Sequence, residues 1–184
     1  LNMSFTKKCL ALTCATSLML SSVADFAIAA PQNVTQALGR VTVSKVGNTT
    51  TFKQLDTHAI QDMTSADIAS GEILNIEMPS ANSFQLNRVN SSAATVWDGT
   101  LNVDKGHVWF KNENGFMVGD GFRGNFENLG ISTHKNASFN GNNIKFDGNS
   151  SGKIQINSGA QFNVSPGGYA VFVAPNDITN AGTI

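Results

Sequence analysis

The side chains that could do chemistry are few and scattered. His58, His107 and His134 stand apart, none at the short spacing that lets imidazoles share a metal ion. Asp98, Asp104 and Asp120 each fall beside or near a glycine, where a carboxylate most often serves a solvated turn. Gly119-Asp120-Gly121-Phe122-Arg123-Gly124 spells G-x-G-x-x-G, but a dinucleotide site needs a strand before it and a helix opening after it. The following Asn125-Phe126-Glu127-Asn128 and Leu129-Gly130 predict no helix, so the segment reads as a turn. No Gly-x-Ser-x-Gly elbow, HExxH pair or calcium-binding Asp repeat occurs. Asn33, Asn48, Asn90, Asn136 and Asn149 open Asn-x-Ser/Thr sequons, several of which chance supplies in so Asn-rich a chain. The sequence therefore predicts no metal, no cofactor and no enzyme. A carboxylate pair cleaving a polysaccharide, with Asp98 or Asp104 as the acids, is the third functional reading.

The front of the chain predicts export. Lys7 and Lys8 form a basic start, Cys9–Leu20 an apolar run, and Ala27-Ile28-Ala29 a small-residue site that places a cut before Ala30. That layout is a secretory signal peptide over residues 1–29. The apolar run is too short, and too broken by Thr13, Thr16 and Ser17, to span a bilayer. Residues 30–184 then form one domain with no later membrane span.

Both cysteines leave with the signal, which excludes a disulfide scaffold from the exported part. Its charge is 12 − 2 = 10 Lys/Arg against 13 − 1 = 12 Asp/Glu, a net of −2 that argues against nucleic acid as partner. All 17 glycines and twenty of the twenty-one asparagines lie beyond the signal. With 41% hydrophobic residues the chain is too apolar for disorder and predicts strands joined by Gly and Asn turns.

Val41–Ser44 and Thr49–Phe52 around Gly47-Asn48 predict an early hairpin, and Leu55–Met63 carries apolar residues at helical spacing that predict one short helical turn. Ile73–Ile76 and Ser83–Val89 follow as strands, the latter with Phe84 and Leu86 buried. From Thr95 the rhythm is uniform: Leu101–Val103, His107–Phe110, Phe116–Val118, Gly130–Thr133, Asn143–Phe146, Lys153–Ile156, Gln161–Val164 and Tyr169–Val173, separated by turns. Asn102, Asn112, Asn114, Asn128, Asn140, Asn142, Asn157 and Asn180 recur at turn-like positions. In coils stacked about 4.8 Å apart such amides can hydrogen-bond up the stack. The fold class is all-β, a parallel β-helix capped by residues 30–60; a β-sandwich is the alternative.

Four segments in order, Asn87-Arg88-Val89, Gly99–Gly106, Val108–Gly115 and Leu129–Thr133, closely resemble the secretion domain of two-partner secretion exoproteins of the filamentous haemagglutinin type. Gly71–Ser80 and Ala174–Ile184 resemble the same family's flanking strand and coil segments. Glu113 stands where the family's Asn-Pro-Asn-Gly turn has Pro, and the cysteine pair of the haemolysin-like branch is absent, which favours the adhesin branch. The resemblance implies a right-handed parallel β-helix with extra-helical hairpin strands, at the N-terminus of a longer, surface-exposed or released exoprotein. It implies recognition by an outer-membrane transporter of a Gram-negative cell through Asn87, Arg88, Val89, Asn112, Asn114 and Gly115, and host-cell or glycan contact through the exoprotein. A stand-alone adhesive or carbohydrate-binding solenoid is the alternative function.

Overall fold

A computed structural model describes residues 30–140 and 143–184; the predicted signal peptide, residues 1–29, lies outside the described residues, as does the predicted turn residue Asn142. All described elements are strands, and most stack in parallel into a β-solenoid of about five turns. Three rows of strands make its faces. The first row stacks β3 (Thr49–Gln54), β5 (Ile73–Glu77), β8 (Thr100–Val103), and the opening halves of β11 (Arg123–Ser132) and β15 (Gln161–Val173). The second stacks β4 (His58–Met63), β6 (Phe84–Val89), β9 (His107–Lys111), and the closing halves of β11 and β15. The third stacks β7 (Thr95–Trp97), β10 (Phe116–Val118), β14 (Ile154–Ile156) and β16 (Ile178–Asn180). The parallel β-helix is thus observed, and the sandwich is not.

Each coil is made of short strands ended by turn residues (Gly, Asn, Asp, Ser or Pro), so no coil can bury its own apolar face; stacking does it instead. Alternate residues point inward, and the interior holding Phe52, Leu74, Leu101, Phe110, Phe122 and Phe162 is all but dry. Trp97 lies among them, fully buried, with ring centroids 5.0 Å from Phe110 and 5.5 Å from Phe116 and Phe122.

Four expectations need correction. Leu55–Met63 forms no helical turn: His58–Met63 is a strand, with Ala59 and Met63 inward and its ladder bonds given to β6. Tertiary pairing outweighed a weak helical spacing. The N-terminal cap consists of β1 (Thr35–Leu38) and β2 (Val41–Val46), antiparallel on β4 and β3, while β3 itself already belongs to the first coil. In β6 the expected burial holds for Leu86 and only in part for Phe84, and neither side chain is on the core side. Gln85, Asn87 and Val89 point into the solenoid, while Phe84 and Leu86 point outward, where Leu86 is still fully buried. Gly130–Thr133 is the second half of one long strand whose first half, Arg123–Phe126, comes straight out of the glycine-rich turn.

The outward columns explain the rest. A hairpin, β12 (Asn136–Asn140) with β13 (Asn143–Asp147), leaves the solenoid between β11 and β14. It folds back on the second row: Phe146 packs 5.0 Å from Trp109, and Phe139 meets His58 and Phe84 edge-on at 6.0 and 6.3 Å. Trp109 lies flat over the next coil at Gly130, where a Cβ would fall 2.1 Å from the indole, so only glycine fits beneath it. Under the hairpin, His58 and Phe84 stack at 5.7 Å and Phe84 and His107 at 4.4 Å, and His107 Nδ1 lies 3.0 Å from the Tyr169 hydroxyl.

Burial pushes the His107 imidazole below its ordinary value near 6.5, only partly opposed by the Glu127 carboxylate. The folded state therefore holds fewer protons on His107 than the unfolded chain does. Stability contributed by its neutral form is full above about pH 6.5 and is lost as the pH falls toward the depressed folded value. Thermal unfolding followed from pH 7.5 to 5 is expected to show a falling midpoint, and His107→Asn to flatten that slope. An unchanged slope in the variant would assign the pH dependence elsewhere.

Candidate functional site

The residues singled out in the sequence gather at the corner between the second and third rows. Asn87, Arg88 and Val89 end β6 in one coil; Asn112, Asn114 and Gly115 turn the next coil from β9 into β10. The loop that binds the two corners is Ser91–Thr95.

Asn112 holds this corner. It is fully buried, and its Nδ2 lies 3.1 Å from Ser91 Oγ, 3.0 Å from Ala93 O and 2.9 Å from Thr95 Oγ1, three acceptors for its two hydrogens. Its Oδ1 accepts the Asn114 N–H at 2.9 Å, an Asx turn within the corner. The Asn112 carbonyl accepts the Gly115 N–H at 3.1 Å, closing a four-residue turn with Glu113 at its second position, where Pro is also favoured. Asn114 is exposed, and its Nδ2 donates to Ser91 O at 2.6 Å. Gly115 has φ +108, and a Cβ there would stand 2.7 Å from Lys153 O of the following coil. This is one of the positions where the turn requires glycine both for its backbone and for the close approach.

The second motif is interior. Asn87 is fully buried and accepts from Gln61 Nε2 at 3.1 Å and Gln85 Nε2 at 3.0 Å, while its own Nδ2 donates to Trp109 O at 3.3 Å. Gln61 Oε1 and Gln85 Oε1 find no protein donor, so this amide cluster is incompletely satisfied at the heart of three coils. Val89 is packed in the core. Arg88 points outward and grips Asp62 of the preceding coil with both fork arms, Nε to Oδ1 at 2.8 Å and NH2 to Oδ2 at 2.6 Å. Of the six residues, only Arg88 and Asn114 therefore offer side chains outside the solenoid; Asn87, Val89, Asn112 and Gly115 build the corner from within.

Sequence reasoning missed Asp62 and Ser91, the partners that lock these motifs. It also misplaced the amide ladder. The stacked amides are Asn75, Asn102, Asn125 and Asn163, one per coil at mid-strand on the first row, each later one donating its Nδ2 to the Oδ1 of the one before it, at 3.0, 2.9 and 3.0 Å. They line an open groove of about 480 Å³ that also takes in Glu77 and Asp104. Of the turn-like asparagines, only Asn102 belongs to this ladder.

The other chemical candidates have structural employment. Asp98 accepts the Gly121 N–H at 2.8 Å, and Asp104 the Met78 N–H at 2.9 Å. The G-x-G-x-x-G segment is a turn, closed by Phe122 N–H to Gly119 O at 3.2 Å, and it opens a strand. His134 pairs with Ser132 Oγ at 3.1 Å. Among the described residues no three His, Cys, Asp or Glu side chains are placed to hold a metal, and no helix is long and apolar enough to cross a membrane.

Comparison with known proteins bears first on the fold. The chain is similar to the crystal structure of the HMW1 secretion domain from Haemophilus influenzae, with a TM-score of 0.58 and 22% identity, over 68% of this chain and 34% of that one. Over 120 residues, 63% of its length, it is 31% identical to the heme/hemopexin-binding protein of Haemophilus influenzae, of which it spans 13%. No family model matches.

Proposed function

We propose that the chain is the secretion domain of a two-partner exoprotein, a non-enzymatic address read by a dedicated outer-membrane transporter. The observation that carries this reading is the corner itself. Two short motifs, Asn87–Val89 and Asn112–Gly115, stack as adjacent corners of a β-helix that resembles a solved secretion domain. The curated relative, many times longer than the matched segment, supports placing the domain within a longer protein of a Gram-negative cell surface or medium. What the exoprotein then contacts, a host cell, a glycan or a haem carrier, rests with the rest of that protein.

The physical chemistry suits the task. Crossing a narrow outer-membrane pore requires an unfolded chain, and residues 30–184 contain no cysteine that periplasmic oxidation could lock. In that unfolded state Asn87 and Asn112, buried in the solenoid, are open to the transporter, and an extended segment around them can add as a strand to an exposed sheet edge. Outside the cell the first coils offer a ready edge on which later coils stack.

The test is co-expression with the transporter in a Gram-negative host, comparing periplasmic and external protein. Wild type is expected outside, and Asn87→Ala combined with Asn114→Ala trapped in the periplasm, with at least a tenfold drop in the exported fraction. Refolding the purified variant separates a recognition defect from a folding defect. Undiminished export of the double variant would remove these residues from the address.

A further inference from the structure

Outward on the second row, Asp62, Arg88, Lys111 and Ser132 follow one another coil by coil. Arg88 commits two of its nitrogens to Asp62, leaving the other edge of the guanidinium unspent. Lys111, one coil further, is only 5% exposed and makes no ion pair or hydrogen bond. Its stem is packed away, as lysine stems often are, and the ammonium at its tip is left without a protein partner. Burial pushes it down from the ordinary lysine range, Arg88 and Lys135 add repulsion, and the Glu113 and Asp62 carboxylates oppose that only in part. A half-buried cation that no carboxylate contacts directly is favoured by an anion that does contact it.

Beside it is a place for that anion. A cavity of about 360 Å³ is lined by Asp62, Arg88, Asn90, Lys111, Lys135 and Asn136. Two adjacent coils supply Arg88 and Lys111, and the base of the outer hairpin supplies Lys135 and Asn136. Three cations face one lining carboxylate, and that carboxylate is already engaged by Arg88. A guanidinium edge and two ammonium groups converging on a polar cavity match the acceptor geometry of an oxyanion. We propose that this cavity binds a sulfate, phosphate or carboxylate group between Lys111, the free edge of Arg88 and Lys135.

The proposal is independent of the secretion reading and concerns the folded protein. Isothermal titration of the purified protein with sodium sulfate, sodium phosphate and sodium glucuronate, at constant ionic strength against chloride, reads it directly. Saturable binding of at least one of the three is expected, the ranking showing whether a tetrahedral anion or a carboxylate is preferred. Lys111→Met, close in volume but uncharged, is expected to weaken it at least tenfold. The same variant should unfold in chloride at the same temperature as wild type or higher, because it removes a charge that partial burial disfavours. Lys135→Gln, on the exposed hairpin base, should weaken binding too while leaving the fold intact. No saturable binding by any of the three anions, or binding unchanged in both variants, would overturn the site.

Discussion

Asn112→Ala is expected to destabilise the domain by about 2–4 kcal/mol, seen as a lower urea midpoint with an unchanged slope. The side chain is fully buried and serves four polar groups in two coils: Ser91 Oγ, Ala93 O, Thr95 Oγ1 and the Asn114 N–H. Removing it leaves those groups facing a small void that is polar on most sides. An orphaned buried group costs about 1–3 kcal/mol; Thr95 Oγ1 is the buried one here, whereas Ser91 Oγ and Ala93 O keep the bond between them, and water entering the void would return part of the rest. Asn114→Ala makes the control, since Asn114 is exposed and gives a single side-chain bond to Ser91 O. It should cost about 0.5–1.5 kcal/mol. If the two variants were equally mild, the corner would be held by its backbone turn alone, and the stacking account of the Asn-x-Asn-Gly motif would fail.

That contrast also shows what a sequence can and cannot display. The Asn112–Gly115 turn was legible because its signal is local: Asn and Gly at fixed offsets after an alternating strand admit few other backbones. The β-helix was legible for a related reason, short strands and turn residues in monotonous alternation. What stayed hidden depended on neighbours distant in the chain. Phe84 and Leu86 look like the buried face of β6, and by hydrophobicity alone they are. Leu86 is buried on the outward face, however, and Phe84 half-buried there against Phe139 of the hairpin, so the inward face falls to Gln85 and Asn87. A period of two identifies two faces without saying which one meets the core.

Asn75, Asn125 and Asn163 were equally opaque. Asparagine is a poor strand residue taken singly, and only a stack of identical amides at the coil spacing makes mid-strand asparagine favourable. Lys111 reads as the solvated end of a strand, and nothing local to it announces that Lys135 of the hairpin base will close over the same cavity. The pattern is consistent: turns are written locally, whereas the ladders and the anion cavity are written in register.

Trp97→Ala is expected to cost the most of any single change, about 4–5 kcal/mol, near the top of the range for emptying a buried aromatic site. Trp97 is wholly buried and ties four coils together: its Nε1 donates to Ala66 O of the first coil at 2.9 Å, and its ring packs on Phe110 and Phe116 of the third and stacks at 16° on Phe122 at the start of the fourth. No neighbour can collapse into the space, because the coil backbones on either side are fixed by their own ladder bonds. In a stack stabilised by nearest-neighbour contacts, a hole spanning several coils should weaken coupling as well as stability. Circular dichroism against urea is therefore expected to show a lower midpoint and a shallower transition. Trp97→Phe should recover more than half of the loss, leaving chiefly the orphaned Ala66 carbonyl. A sharp, only slightly shifted transition for Trp97→Ala would mean that each coil is stable by itself. Stacking could then not be the force that organises this chain, and the idea that its first coils template the later ones would lose its physical basis.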